Sequence, residues 1–264
     1  MLLQHKIAVV YGGGGVIGGA IARAFAREGA TLYLAGRTQS KLDAVARDVT
    51  AMNGQAHVAV VDALDEADVL RHADAVVADA GRIDIAVNAV GIAHVQGTPF
   101  AELSLEDFEK PIHDYMRTLF VTAKAVTRSM IARGSGVLLS LSTPAAKIGY
   151  SGVAGYGTTC AAKEGLMRHL ATELGPHGIR VLCLRPDALP EAVVLGSHSR
   201  RVFEQFAQRQ GMTVDEMLAQ PSLSPLRRRP RLSDVADTAA FVASDRAQSM
   251  TAAVMNLTCG SVAD

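Results

Sequence analysis

The chain is poor in the features that would let composition assign a role. It has three cysteines, at 160, 183 and 259; scattered and odd in number, they supply neither a disulfide framework nor metal-ligand spacing. It has no charge excess, because 26 lysines and arginines balance 26 aspartates and glutamates. No global field therefore recruits nucleic acid or an anionic membrane. It also lacks a run suited to crossing a bilayer. The uncharged segment Ile7–Ala22 carries six glycines and leads straight into a helical pattern, which argues against a spanning or signal segment. There is no internal repeat and no low-complexity linker. Together these absences point to one domain in 264 residues, a reducing cytoplasmic setting and a small-molecule substrate, with no nucleic acid and no membrane as partner.

What is present is an alternation of short apolar runs and amphipathic helical patterns, the signature of an α/β doubly wound parallel sheet. The first run, Ile7–Val10, breaks into Tyr11-Gly12-Gly13-Gly14-Gly15-Val16-Ile17-Gly18-Gly19, and Ile17, Ile21 and Phe25 then recur one helical turn apart. Strand, glycine turn, helix is the context in which a glycine pattern becomes a dinucleotide-binding hypothesis: the backbone can approach a pyrophosphate, and the helix N-terminus offers free N–H groups. The second run, Thr31–Ala35, ends in Gly36-Arg37-Thr38. An acid placed here would bind a ribose 2′-hydroxyl, whereas Arg37 suits a 2′-phosphate, so NADP(H) is favoured over NAD(H). Lys41 can add to that charge.

The order continues with a helix using Leu42, Val45 and Val49, a strand at 56–61 followed by Asp62 and Ala63, a helix over 66–80, and a strand at 85–87 running into Asn88-Ala89-Val90-Gly91. Ser104 and Asp107 read as a capping box opening a long helix to about Ala132. Strands follow at 137–141, 180–184 and 254–257, with helices over 156–174 and from Ser233. Between Glu191 and Pro225, helical signals at 199–210 and 213–220 mark a segment that would form a substrate lid over the carboxyl end of the sheet. Phe203, Phe206 and Met217 are candidates for its pocket walls, or merely pack it down. The cluster Arg227-Arg228-Arg229-Pro230-Arg231 could bind a phosphate or an acidic partner, or is a solvated turn.

Chemistry concentrates in one stretch. Ser142 and Thr143 end an apolar strand, and Tyr156, Cys160 and Lys163 follow on one helix. A hydroxyl and a phenol in this arrangement can transfer a proton, provided a cation favours the phenolate. The stretch resembles the short-chain dehydrogenase/reductase family, whose signature is a Ser and, thirteen positions later, Tyr-x-x-x-Lys. In that register Thr143 stands at the Ser, Tyr156 at the Tyr and Cys160 at the Lys. Tyr115 stands at the family's relay Asn, and no asparagine lies nearby. Asp187 and Glu191 stand where the family has a Gly and a Thr after Pro186.

The resemblance covers essentially the whole chain. It implies a single-domain Rossmann fold with a seven-stranded sheet in the order 3-2-1-4-5-6-7, and a cofactor site built on Gly12, Gly15, Val16, Ile17, Gly18, Arg37, Asp62, Ala63, Asn88, Gly91 and Pro186. It also implies a homotetramer or homodimer. The activity it implies is NADP(H)-dependent reduction of a carbonyl or conjugated double bond, with Tyr156 as proton donor, Thr143 and Ser142 beside it, and an altered active site. Lys163 lies seven residues after Tyr156 and so returns to the same helix face. It either reaches toward Tyr156 in place of the missing lysine or is a solvated helix lysine; the spacing is also seen in enoyl-acyl carrier protein reductases. His113 could relay a proton or be structural. Cys160 could be a nucleophile or a buried packing residue. The competing reading is the same fold redirected to a non-redox role: an isomerase, cyclase, dehydratase or binding subunit.

Overall fold

The computed structural model describes all residues from Met1 to Asp264. Seven strands form one parallel sheet in the order β3-β2-β1-β4-β5-β6-β7. They are β1 Ile7–Tyr11, β2 Thr31–Gly36, β3 Gln55–Val60, β4 Ile85–Asn88, β5 Gly136–Leu141, β6 Ile179–Pro186 and β7 Ala253–Leu257. The helices are α1 Val16–Arg27, α2 Gln39–Ala51, α3 Glu66–Ala80, α4 Leu105–Arg133, α5 Ala154–Leu174, α6 Pro190–Val194, α7 Ser199–Arg209, α8 Val214–Ala219 and α9 Leu232–Ala243. None of them is long and apolar enough to cross a membrane.

The central strands are continuous apolar runs because helices cover both faces of a parallel sheet. One core holds Ile21, Phe25, Leu42 and Val235 against Ala8, Val10 and Leu34; the other holds Val69, Leu119, Val126, Met130 and Met167 against Val9, Leu138 and Val181. A fully buried side chain such as Phe25 contributes roughly 2–3 kcal/mol by leaving water. The outer strand β3 shows the alternating exposure of a sheet edge.

Helix ends follow local chemistry. The Asp65 carboxylate accepts from the N–H groups of Ala67 and Asp68 at the start of α3, and Gly81, at φ 75°, ends it. Ser104 caps α4 through the Asp107 N–H. Helices α4 and α5 meet closely at Gly155, where a Cβ would lie 2.7 Å from the Phe108 carbonyl oxygen. That approach sets Tyr156 beside Tyr115.

One element adds to the expected order, and one open alternative is decided. The segment after β6 begins with a helix, α6, that its short pattern did not reveal. Phe203 and Met217 pack on Val193, Ala207 and Val214 in a small core internal to this segment, so they hold it together rather than wall a pocket.

Candidate active site

The carboxyl ends of β1 to β4 open into a cavity of about 540 Å³. Gly12, Gly14, Gly15, Val16 and Ile17 line one end, with Arg37, Thr38 and Lys41 beside them; Asp62, Ala63, Gly91 and Ile92 continue the wall. Gly12 sits at φ 81°, and a Cβ there would lie 2.5 Å from the Ala89 carbonyl oxygen. Only glycine allows that turn to press on the neighbouring strand connection. Gly15 caps α1 with no side chain, so the first N–H groups of the helix stay free to meet an anion. Arg37 and Lys41 are exposed and belong to no ion pair of the structure.

Three of the expected cofactor residues lie outside this lining. Gly18 abuts the Gly12 carbonyl oxygen and lets α1 approach the turn. Asn88 is buried, and its Nδ2 donates to Thr122 Oγ1 at 2.9 Å; it ties β4 to α4. Pro186 closes β6.

Beyond Gly91 lies the second half of the site. The Tyr156 ring stacks on His94 at 4.2 Å between centroids, and Tyr115 lies 5.8 Å from Tyr156. Thr143 Oγ1 is 3.3 Å from Cys160 Sγ, and the Tyr156 phenol lies beside both. Burial pushes the Tyr156 phenol well above its usual range, and the Cys160 thiol, likewise pushed up by burial, does nothing to lower it. Both groups are therefore protonated at neutral pH. Cys160 is 1 % exposed, which favours packing over nucleophilic attack.

Lys163 is not a solvated helix lysine: it is 6 % exposed. Its Nζ lies 4.9 Å from the centre of the Tyr115 ring and makes no hydrogen bond or ion pair. Burial lowers its pKa, while Cys160 and Cys183 act in the opposite direction. His113 is exposed and joined to Asp114 at 2.9 Å.

Ser142 also takes a different post. Its hydroxyl donates to Glu164 Oε1 at 2.8 Å, and Glu164 receives Arg185 through Nε and Nη2, both at 2.8 Å. Arg185 Nη1 also bonds Asp264. Asp187 accepts from Ser261, and Glu191 accepts from the Leu232 N–H, so both carboxylates anchor neighbouring chain.

His94 and His198 are site residues that sequence reasoning missed. His94 Nδ1 bonds the Ile92 carbonyl at 2.8 Å, and Gln96 Nε2 meets its other nitrogen at 2.9 Å. The carbonyl can only accept, so Nδ1 carries the proton and the ring is neutral; burial pushes its pKa down to about 4. His198, just before α7, fills the space over Gly91 and reaches Tyr115 Oη at 3.4 Å. Isolated histidines in loops carry no spacing signal. The buried Arg185 did leave one, a charge at the end of an apolar strand.

A seven-stranded parallel sheet with a glycine turn at its first strand and a phenol–hydroxyl pair beyond its fifth defines a Rossmann-type protein with an oxidoreductase-like site. The enoyl-(acyl carrier protein) reductase family model matches residues 14–261. D-threitol dehydrogenase of Mycolicibacterium smegmatis is 31 % identical over 93 % of this chain and 88 % of its own. NAD+-bound xylitol dehydrogenase superposes with a TM-score of 0.86 at 25 % identity, covering 98 % of this chain and 100 % of that one. Levodione reductase does so at 0.85 and 27 % identity, covering 98 % of each chain. The chain belongs to the short-chain dehydrogenase/reductase family of oxidoreductases.

Proposed function

We propose that the protein is an NADP(H)-preferring reductase of a carbonyl or conjugated double bond in a small organic substrate, with Tyr156 as proton donor. The observation that carries this reading is the protonated Tyr156 phenol beside the Thr143 hydroxyl, with Cys160 where a cation would favour phenolate. A neutral phenol is what reduction needs, and alcohol oxidation is what it impairs.

The cavity fits a dinucleotide: bare helix N–H groups at Gly15 meet the need of a pyrophosphate, and the unpaired Arg37 and Lys41 meet that of a 2′-phosphate. A nicotinamide held there supplies hydride. The chain's own residues do the rest. Thr143 donates a hydrogen bond to the substrate oxygen, Tyr156 gives that oxygen its proton, and solvent restores the phenol. His94 stacks on Tyr156 and fixes the plane of its ring. The segment from α6 to α8 acts as the lid, with His198 as its point of contact over Gly91.

Exposed Phe120 and Ile131 on α4 support a homodimer or homotetramer, and three free thiols support a reducing, cytoplasmic setting. The test is titration with NADPH and NADH, followed by a screen of ketones and enones with Tyr156→Phe alongside. NADPH-selective binding, with turnover lost in the variant, is the expected result. Binding of neither nucleotide would sink the reading.

A further inference from the structure

The site contains one buried amine that nothing in the protein pairs. Lys163 is more than nine-tenths buried, and its ammonium has only the face of the Tyr115 ring beside it. A ring face offsets only part of what a buried ion left unpaired costs. The carboxylates that could have helped are already engaged. Glu164, its neighbour in sequence, is held by Arg185 and Ser142; Asp264 is held by Arg185, and Asp187 by Ser261.

Nor is the amine sealed in. The one fully enclosed side-chain polar atom without a partner in the molecule is Ser140 Oγ, so the Lys163 amine, which also lacks a partner, keeps an opening. The titratable groups around the amine are Tyr115, Cys160, Cys183, His94 and His198; burial keeps the phenol, the thiols and the imidazoles neutral, and none brings a negative charge. The charge is also close to the chemistry, since the ring it sits over is the immediate neighbour of the Tyr156 ring.

We propose that the substrate is an anion, an oxo acid whose carboxylate pairs with the Lys163 ammonium while its carbonyl meets Tyr156 and Thr143. This rests on the reductase reading for the carbonyl end and on the unpaired ammonium for the carboxylate end. Lys163 is then a specificity-determining residue, and it binds the end of the substrate that does not react. The pairing would replace the missing protein counter-ion with a charge-assisted hydrogen bond that a neutral analogue cannot make.

The test uses the full chain with NADPH and matched pairs: 2-oxo and 3-oxo acids of four to six carbons against their methyl esters, in the wild type and in Lys163→Met. The wild type should prefer acid to ester by tenfold or more in kcat/KM. Lys163→Met should remove that preference through the KM of the acid, lowering kcat/KM for the acid at least tenfold more than for the ester. Equal use of acid and ester by the wild type overturns the proposal. So does an equal loss of kcat on both substrates, which would make Lys163 an aid to Tyr156, or a loss confined to NADPH affinity, which would assign the ammonium to the nucleotide.

If neither acid nor ester is reduced, the reductase reading has failed and the anion site is judged separately. Calorimetric titration with butanoate and with methyl butanoate then decides it. Butanoate binding that Lys163→Met abolishes supports the site, and absence of butanoate binding overturns it.

Discussion

The two ends of the cleft handle positive charge in opposite ways. At the glycine-turn end, Arg37 and Lys41 stand in water with no partner, where solvation keeps an unpaired charge cheap. At the catalytic end, Arg185 is 1 % exposed and fully paired with Glu164 and Asp264, and Lys163 is buried with no anion at all. The lesson is that burial turns a missing counter-ion into a requirement. The protein has met that requirement for Arg185, and the proposed substrate meets it for Lys163.

The contrast breaks most visibly at Glu164. Glu164→Ala leaves Arg185 in the core with only the partly exposed Asp264 as counter-ion, and a loss of up to about 3–5 kcal/mol is expected, read from urea unfolding. Replacing both partners by methionine should recover most of it. A single-variant loss near zero would mean that solvent reaches the guanidinium.

Cys160→Lys sharpens the catalytic side. A cation beside Tyr156 typically lowers a phenol pKa by roughly one to three units, about 1.4–4 kcal/mol in favour of phenolate. The pH profile of alcohol oxidation should move down by that amount. An unmoved profile with cofactor bound would count against Tyr156 as the titrating acid.

A third way of handling charge is to refuse it. Burial pushes His72 down to about 4 from 6.5, as it does His94. Each stays neutral in the folded state while the unfolded chain takes up a proton below about pH 6.5. Stability should therefore be intact above pH 6.5 and fall at about 1.4 kcal/mol per unit and per group until pH reaches about 4. Thermal unfolding between pH 7.5 and 4.5 checks the slope, and His72→Gln should make it shallower.

The smallest effect belongs to the solvated end. Arg37→Ala should weaken NADPH by about tenfold and NADH much less, because only the former carries the phosphate that a guanidinium grips. Equal weakening of both would assign Arg37 to something other than the 2′-phosphate.

Much of this was legible in the chain. Apolar runs and helical spacing placed every strand and the long helices to within a residue or two, because parallel strands buried on both faces are written as apolar runs. Tyr156, Thr143 and the glycine turn could be found because they are short-range patterns on one strand–helix junction. The histidines could not, since His94 and His198 are brought together from loops over a hundred positions apart, and no local period marks such a pair.

The sequence by itself determined the alternation of strands and helices, the glycine turn, the phenol–hydroxyl pair and the Cys160 that follows Tyr156 by one helical turn. Each of these depends on neighbours within a few helical turns. Only the tertiary structure decided that Ser142 serves Glu164, that Arg185 has partners and that Lys163 has none. Whether a charge is paired depends on which distant groups share its low-dielectric surroundings, and folding alone assembles those.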